Sequence, residues 1–149
     1  MNPIQVPNDG GKRVNVLGTP IFIRVRGSDT NGTLAIVESH DLPGGGPPPH
    51  IHHREDETFH VLEGDYEFMV DGKTIRAQLG TTLFAPRGVP HTYRYLGHTT
   101  GKLMVVLTPG GFEVFFEEIG ALTAQQQQDI PRVLEIAKKF GVEFLPPGT

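Results

Sequence analysis

Residues 47–64 read Pro47-Pro-Pro-His-Ile-His-His-Arg-Glu-Asp-Glu-Thr-Phe-His-Val-Leu-Glu-Gly64. His50 and His52 stand one residue apart. On an extended strand, side chains two positions apart share a face, so both imidazoles aim at one point. The polar run Arg54-Glu55-Asp56 reads as a solvated loop that turns the chain. Glu57 then returns toward the same point from the next strand. Imidazole and carboxylate together form a donor set suited to a divalent transition metal.

The strand that follows is legible by its alternation. Glu57, Phe59, Val61 and Glu63 fall on one face, and Thr58, His60 and Leu62 on the other. Upstream, Gly44-Gly45-Gly46-Pro47-Pro48-Pro49 is a stiff lead-in rather than a linker, because β-patterned sequence lies on both sides of it. Ile21, Ile23 and Val25 alternate with polar or aromatic neighbours, and Leu34 to Ser39 reads as a further strand. Downstream, Asp71-Gly72 between alternating runs signals a two-residue hairpin. That turn pairs Val70 with Lys73 and Phe68 with Ile75. It puts Ile75 and Ala77 on the face of Tyr66 and Phe68. Gly80 to Pro86 is another strand. His91, Tyr93 and Tyr95 alternate after the Arg87-Gly88-Val89-Pro90 turn. Leu103 to Leu107 is an unbroken apolar run, expected to be a strand buried on both faces.

The period changes after Gly111. Phe112, Phe115, Phe116 and Ile119 recur at helical spacing, which predicts an amphipathic helix. Thr123 and Gln126 suit a capping box. Asp129-Ile130-Pro131 opens a further helix with Val133, Leu134, Ala137 and Phe140 on one side and Gly141 at its end. Val142 to Pro147 reads as extended. The plan is some eight to ten short strands followed by helices packed outside, with the first 12 residues loosely held.

Composition agrees. With 149 residues, one domain is expected, and 19 Gly and 13 Pro favour a turn-rich all-β chain over a helical bundle. There is no cysteine, which excludes thiolate metal sites and cysteine nucleophiles. A formal charge of -4 offers no basic footprint for nucleic acid. No long apolar run or basic-then-apolar leader is present, so no membrane partner and a cytoplasmic location are expected.

The chemically loaded residues are His50, His52, Glu57 and His91. His91 opens a strand suited to a barrel interior, and a barrel can carry it opposite the other three. Four protein ligands would saturate tetrahedral zinc. Iron, nickel, manganese or cobalt would keep positions open for substrate or dioxygen. Phe59, Phe68, Phe84, Tyr93 and Met104 are candidate walls of an apolar substrate pocket, or plain core. His53 and His60 fall out of phase with this set, and His40 and His98 sit in turn-like segments. Arg24 and Arg26 can line a barrel mouth or form a solvated strand face.

Two spaced patterns carry a resemblance. Gly44, His50, His52, Glu57 and Gly64 match every position of the first motif of the cupins. Gly80, Pro86, Gly88 and His91 match the second, with Tyr95 where that motif has Asn. The chain therefore resembles a small single-domain cupin. The resemblance implies a double-stranded β-helix (jelly-roll) barrel over about residues 14–110, with a helical tail over about 111–149. It implies one divalent metal, iron, nickel, manganese or cobalt with zinc also possible, held by His50, His52, Glu57 and His91. It also places the Tyr95 phenol near the pocket. The Pro47–Glu57 stretch and the Phe-rich helix further resemble proteins described as similar to quercetin 2,3-dioxygenase. That implies dioxygen chemistry on a small aromatic or enolisable, flavonol-like substrate, with Glu57 accepting the substrate's hydroxyl proton. The alternatives are a metal-dependent isomerase or lyase acting on a sugar or keto acid, and a non-enzymatic binding cupin. A homodimer is expected, its candidate interface being the N-terminal strands and the Phe112–Ile119 helix.

Overall fold

A computed structural model describes all residues from Met1 to Thr149. Eleven strands and two α-helices follow one another along the chain. The first hairpin is β1 (Lys12–Val16) and β2 (Thr19–Val25), turned at Leu17-Gly18, where both residues have positive φ. Next come β3 (Ala35–Asp41), β4 (His50–His52) and β5 (Asp56–Glu63). The Asp71-Gly72 hairpin joins β6 (Asp65–Val70) to β7 (Lys73–Gln78). Then follow β8 (Thr82–Ala85), β9 (His91–Tyr95) and β10 (Gly101–Thr108). The chain closes with α1 (Glu113–Gly120), α2 (Ile130–Lys139) and β11 (Val142–Phe144).

The strands form two antiparallel sheets, ordered β1-β2-β3-β10-β5-β8 and β11-β4-β9-β6-β7. From β4 onward the chain crosses between the sheets at nearly every turn, which is the path of a double-stranded β-helix. The sheets do not hydrogen-bond into one closed ring, so the barrel is open at its edges. Alternation decides what lies between them. Tyr66 and Phe68 of β6, and Leu103 and Leu107 of β10, are wholly buried there. The Asp71-Gly72 turn holds the expected register, Val70 opposite Lys73, Phe68 opposite Ile75 and Tyr66 opposite Ala77.

Three expectations are revised. The apolar run in β10 is not buried on both faces: Leu103, Val105 and Leu107 point inward, while Met104 and Val106 are only partly covered on the outer face. The strand lies between β3 and β5, and that central place accounts for its apolar outer residues. The helices are not the end of the sheet architecture, because β11 returns and pairs with β4, Val142 opposite His52 and Phe144 opposite His50. Part of the N-terminal segment is tied down, since the Arg24 guanidinium donates to the Pro7 and Asn8 carbonyls at 3.1 and 2.7 Å, while residues 1–5 are exposed.

The Phe-rich helix is built by its apolar stripe. Phe112, Phe115 and Ile119 are buried within this chain. That face is therefore not the surface a second copy would meet, and α1 covers its own sheets. An exposed stripe would leave the phenylalanines in water, whereas here they cluster, with Phe112 and Phe115 ring centroids 4.9 Å apart. On the polar side, Glu117 binds Lys12 at 2.7 Å and also pairs with Arg26. Arg24 meets Glu38 at 3.0 Å, so neither strand arginine is free to attract an anion. The reciprocal bonds of the Thr123–Gln126 capping box form, at 2.9 and 3.1 Å. Next to it, the buried Gln127 side chain accepts from the Leu17 N–H at 2.7 Å and donates to the Asn15 and Ile119 carbonyls at 3.0 Å. This amide locks the β1–β2 turn to the end of α1. In α2 the Asp129 cap and Pro131 are in place, and Val133 and Ala137 are buried, while Leu134 is 43% exposed.

Candidate metal centre

Three elements bring the four candidate ligands together. His50 and His52 lie on β4, and His91 pairs directly with His50 from the neighbouring β9. Glu57 comes from β5 in the facing sheet. All four are buried, and one ligand atom from each lies within 4.8 Å of the others. Metal–nitrogen bonds of about 2.1 Å put adjacent octahedral ligands about 3 Å apart and opposite ones about 4.2 Å apart. The cluster has the right size.

The outward-facing ring nitrogens test the fit further. His50 Nδ1 lies 2.8 Å from the Pro48 carbonyl, and His91 Nδ1 lies 3.2 Å from the Val89 carbonyl. His52 Nδ1 lies 3.1 Å from Glu55 Oε1. Carbonyl and carboxylate oxygens only accept, so each Nδ1 carries the proton and donates. In its neutral form each ring therefore presents its Nε2 lone pair inward. This is the arrangement that orients metal-binding imidazoles. Within the cluster, His91 Nε2 stands 2.6 Å from Glu57 Oε2, and His52 Nε2 stands 3.3 Å from Glu57 Oε1. The donor set, three imidazoles and one carboxylate, fits a divalent transition metal.

Electrostatics put His50 and Glu57 in their ligating forms, whereas His91 keeps a proton shared with Glu57 that a metal would displace. Burial lowers the His50 imidazole to about 4, and the neighbouring His91 and His52 push in the same direction. Burial alone would raise Glu57, but the charges and hydrogen bonds of His52 and His91 reverse that and hold it at about 2. Burial also lowers His91, and its bond to Glu57 outweighs that and leaves it raised. A neutral imidazole and an ionised carboxylate are the ligating forms.

Beside the cluster opens a cavity of about 160 Å³ bordered by all four of these residues. Of the sequence-derived walls, Phe59 and Tyr93 border it. Phe68 is wholly buried behind Tyr93, with the two rings stacked at 5.4 Å. Phe84 is a correction: it is 58% exposed on the outer face of β8, whose inward residues are Leu83 and Ala85. Met104 is another, because it shares the outer face of β10. Tyr95 does not reach the cavity either. It is buried in a slot between glycines, where a Cβ on Gly97 would come within 1.9 Å of its hydroxyl. The larger phenol is accommodated because those positions have no side chain.

Sequence reading missed other walls and one supporting residue. Phe112, Phe115 and Phe116 of the helix stretch, and Phe144 of β11, border the cavity. Phe112 meets His52 edge-on, with ring centroids 4.5 Å apart. Glu55 is not solvated: it is 6% exposed and holds His52. Its spacing, three residues after His52, was the available signal. Asp56 beside it does face outward and pairs with Arg87 at 3.1 Å. His53 is exposed and pairs with Glu143 at 2.9 Å, and His60 bonds Thr82 at 2.8 Å, both away from the cluster. Replacing Glu55 with alanine is expected to weaken metal binding about 10- to 100-fold, because the His52 ring loses the partner that fixes its tautomer. Competition with a chromogenic chelator measures this, and unchanged affinity would remove Glu55 from the site.

Comparison with known proteins agrees with this geometry. The family described as Cupin domain matches residues 37–107, which hold β4, β5, β9 and all four candidate ligands. Quercetin 2,3-dioxygenase of Bacillus subtilis is 37% identical over 92 residues, 62% of this chain and 27% of that protein. The chain thus aligns with about a quarter of that relative's length. Among solved structures, KdgF from Halomonas sp. superposes with a TM-score of 0.68 at 20% identity, covering 76% of this chain and 99% of that one. The polyketide cyclase RemF from Streptomyces resistomycificus gives 0.62 at 24% identity, covering 72% and 80%. At such identities these structures speak for the fold alone. No helix is long and apolar enough to cross a membrane. Motifs, topology and the domain match converge on residues 37–107, which match the Cupin domain family and carry the whole candidate metal centre.

Proposed function

We propose that this chain is a cupin and a metal-dependent dioxygenase acting on a small aromatic or enolisable substrate. The observation that carries the reading is the buried cluster of three histidines and Glu57 opening onto a largely aromatic cavity. The similarity to the Bacillus subtilis dioxygenase over the same region supports it. A bound divalent transition metal would supply open coordination positions and Lewis acidity toward an enol oxygen. His50, His52, Glu57 and His91 would hold it. Glu57 is ionised at neutral pH, so it can also accept a hydrogen bond or proton from an enol hydroxyl. Phe59 and Phe112 flank the cluster and exclude water from it. In the same reading the chain is one domain, works in the cytoplasm and pairs as a homodimer.

The test is oxygen uptake by protein loaded separately with iron, nickel, manganese or cobalt, against a panel of enols and flavonols. Uptake that depends on both metal and substrate is expected. No uptake with any pair overturns the reading. Turnover of a sugar or keto acid without oxygen, with zinc or manganese, would favour isomerase or lyase chemistry instead.

A further inference from the structure

A second polar group borders the same cavity, and the metal cluster does not use it. Asp41 of β3 is wholly buried without a basic partner. Three hydroxyls converge on it instead. Tyr66 donates to Oδ2 at 2.7 Å, Ser39 to Oδ2 at 2.9 Å, and Tyr93 to Oδ1 at 3.1 Å. Ser39 and Tyr93 border the cavity, whereas Asp41 and Tyr66 do not. A buried carboxylate needs such donors, because uncompensated burial of its charge is costly. The requirement fixes the protons of Ser39 and Tyr93. Each hydroxyl has one proton, and each spends it on Asp41. Toward the cavity they offer lone pairs only.

The geometry also sets a span. Tyr93 follows His91 by two residues on the same face of β9, about 7 Å along the strand. A cavity of about 160 Å³ is close to the roughly 150 Å³ that encloses one benzene ring. The metal ligands, Ser39 and Tyr93 all border this one cavity, so a single ring placed there lies beside both groups.

We infer that Ser39 and Tyr93, oriented by Asp41, select a single-ring substrate that chelates the metal at one end and donates a hydrogen bond from the opposite end. Ser39 and Tyr93 are specificity residues, and Asp41 is a positioning residue. The inference rests on the proposed reading only in that an enolisable oxygen pair meets the metal. It narrows the substrate class: a three-ring flavonol would enclose only one of its rings.

Kojic acid and allomaltol are suitable probes. Both are single-ring hydroxypyranones with the same chelating oxygen pair. Across the ring, the first carries a hydroxymethyl group and the second a methyl. Their affinities for the cobalt-loaded protein are measured by calorimetry under argon, where no oxygen turnover occurs. Kojic acid is expected to bind about tenfold more tightly, since a site built for a donor disfavours the analogue lacking it. Its methyl ether, which accepts but cannot donate, is expected to lose that advantage. Tyr93→Phe is expected to bring the ratio of the two affinities to within about twofold of unity with allomaltol binding retained, and Ser39→Ala to reduce it in part. The ratio reads recognition, and a general loss of structure would weaken both probes together. Equal affinities in the wild type, no binding of either probe, or an undiminished ratio in both variants would overturn the inference. Oxygen uptake is scored separately. A preserved preference without uptake defeats the dioxygenase reading alone, and uptake without the preference defeats this inference alone.

Discussion

Replacing His50 with alanine is expected to lower affinity for a divalent transition metal at least about 100-fold and leave the fold in place. Loss of a group that merely supports a ligand costs 10- to 100-fold, and loss of the ligand itself must cost no less than the upper end of that range. His50 is the informative choice among the four. His52 and His91 both contact Glu57, so removing either strips a buried carboxylate of a partner. The only side-chain hydrogen bond of His50 runs from its outer nitrogen to the Pro48 carbonyl, and burial with the neighbouring His91 and His52 disfavours its charged form. Its removal withdraws one ligand atom without orphaning a charge. Elemental analysis after equilibrium dialysis reads the metal, and circular dichroism reads the fold. Full metal content in the variant would show that the cluster is not the metal site.

The metal-free protein is expected to be most stable near pH 6.5 and to lose a few kcal/mol on acidification to pH 4, from the pKa shifts of the cluster. His50 falls from an ordinary value of 6.5 to about 4 on folding. The unfolded chain therefore binds its proton first, and the stability present above 6.5 is lost as pH falls toward 4. A shift of that size corresponds to roughly 3 kcal/mol. Glu57 is depressed from 4.5 to about 2, so its contribution is present above 4.5 and lost between 4.5 and 2. His91 is raised and works in the other direction: its contribution is full below 6.5 and is lost as pH rises through its folded value. Because the three groups share a site, their contributions do not simply add. Urea unfolding of the metal-free protein across pH 4 to 8 measures the curve. The His50→Ala variant should flatten the limb between 6.5 and 4.5 while keeping the fall that begins below 4.5. An unchanged limb in that variant would remove His50 as its cause.

Some of this site is a local property of the chain. His50 and His52 share a face because strand side chains alternate, whatever surrounds them. Glu57, Phe59 and Val61 alternate for the same reason, and Asp71-Gly72 sets a register that can be read without knowing the fold. The spacing of glycines, prolines and ligands across residues 44–95 carried the resemblance to the cupins, and that resemblance implied a double-stranded β-helix.

Other features depend on what lies opposite, and alternation does not reveal that. Phe84 and Met104 look like pocket walls by composition, yet their strands turn Leu83 and Leu103 inward instead. Tyr95 stands in the second motif but enters a glycine slot away from the cavity. Glu55 sits in a charged run and reads as solvated, yet the return of β5 buries it against His52. The phenylalanines of α1 read as a helix face of unknown destination, and only the docking of that helix makes them cavity walls. Asp41 shows the limit most clearly. It ends an unremarkable strand, and its three hydroxyl partners come from positions 39, 66 and 93. Periodicity along the chain determined which side chains leave each strand together. Pairing between strands and sheets decided what they meet, because burial and hydrogen-bond partners belong to residues distant in sequence.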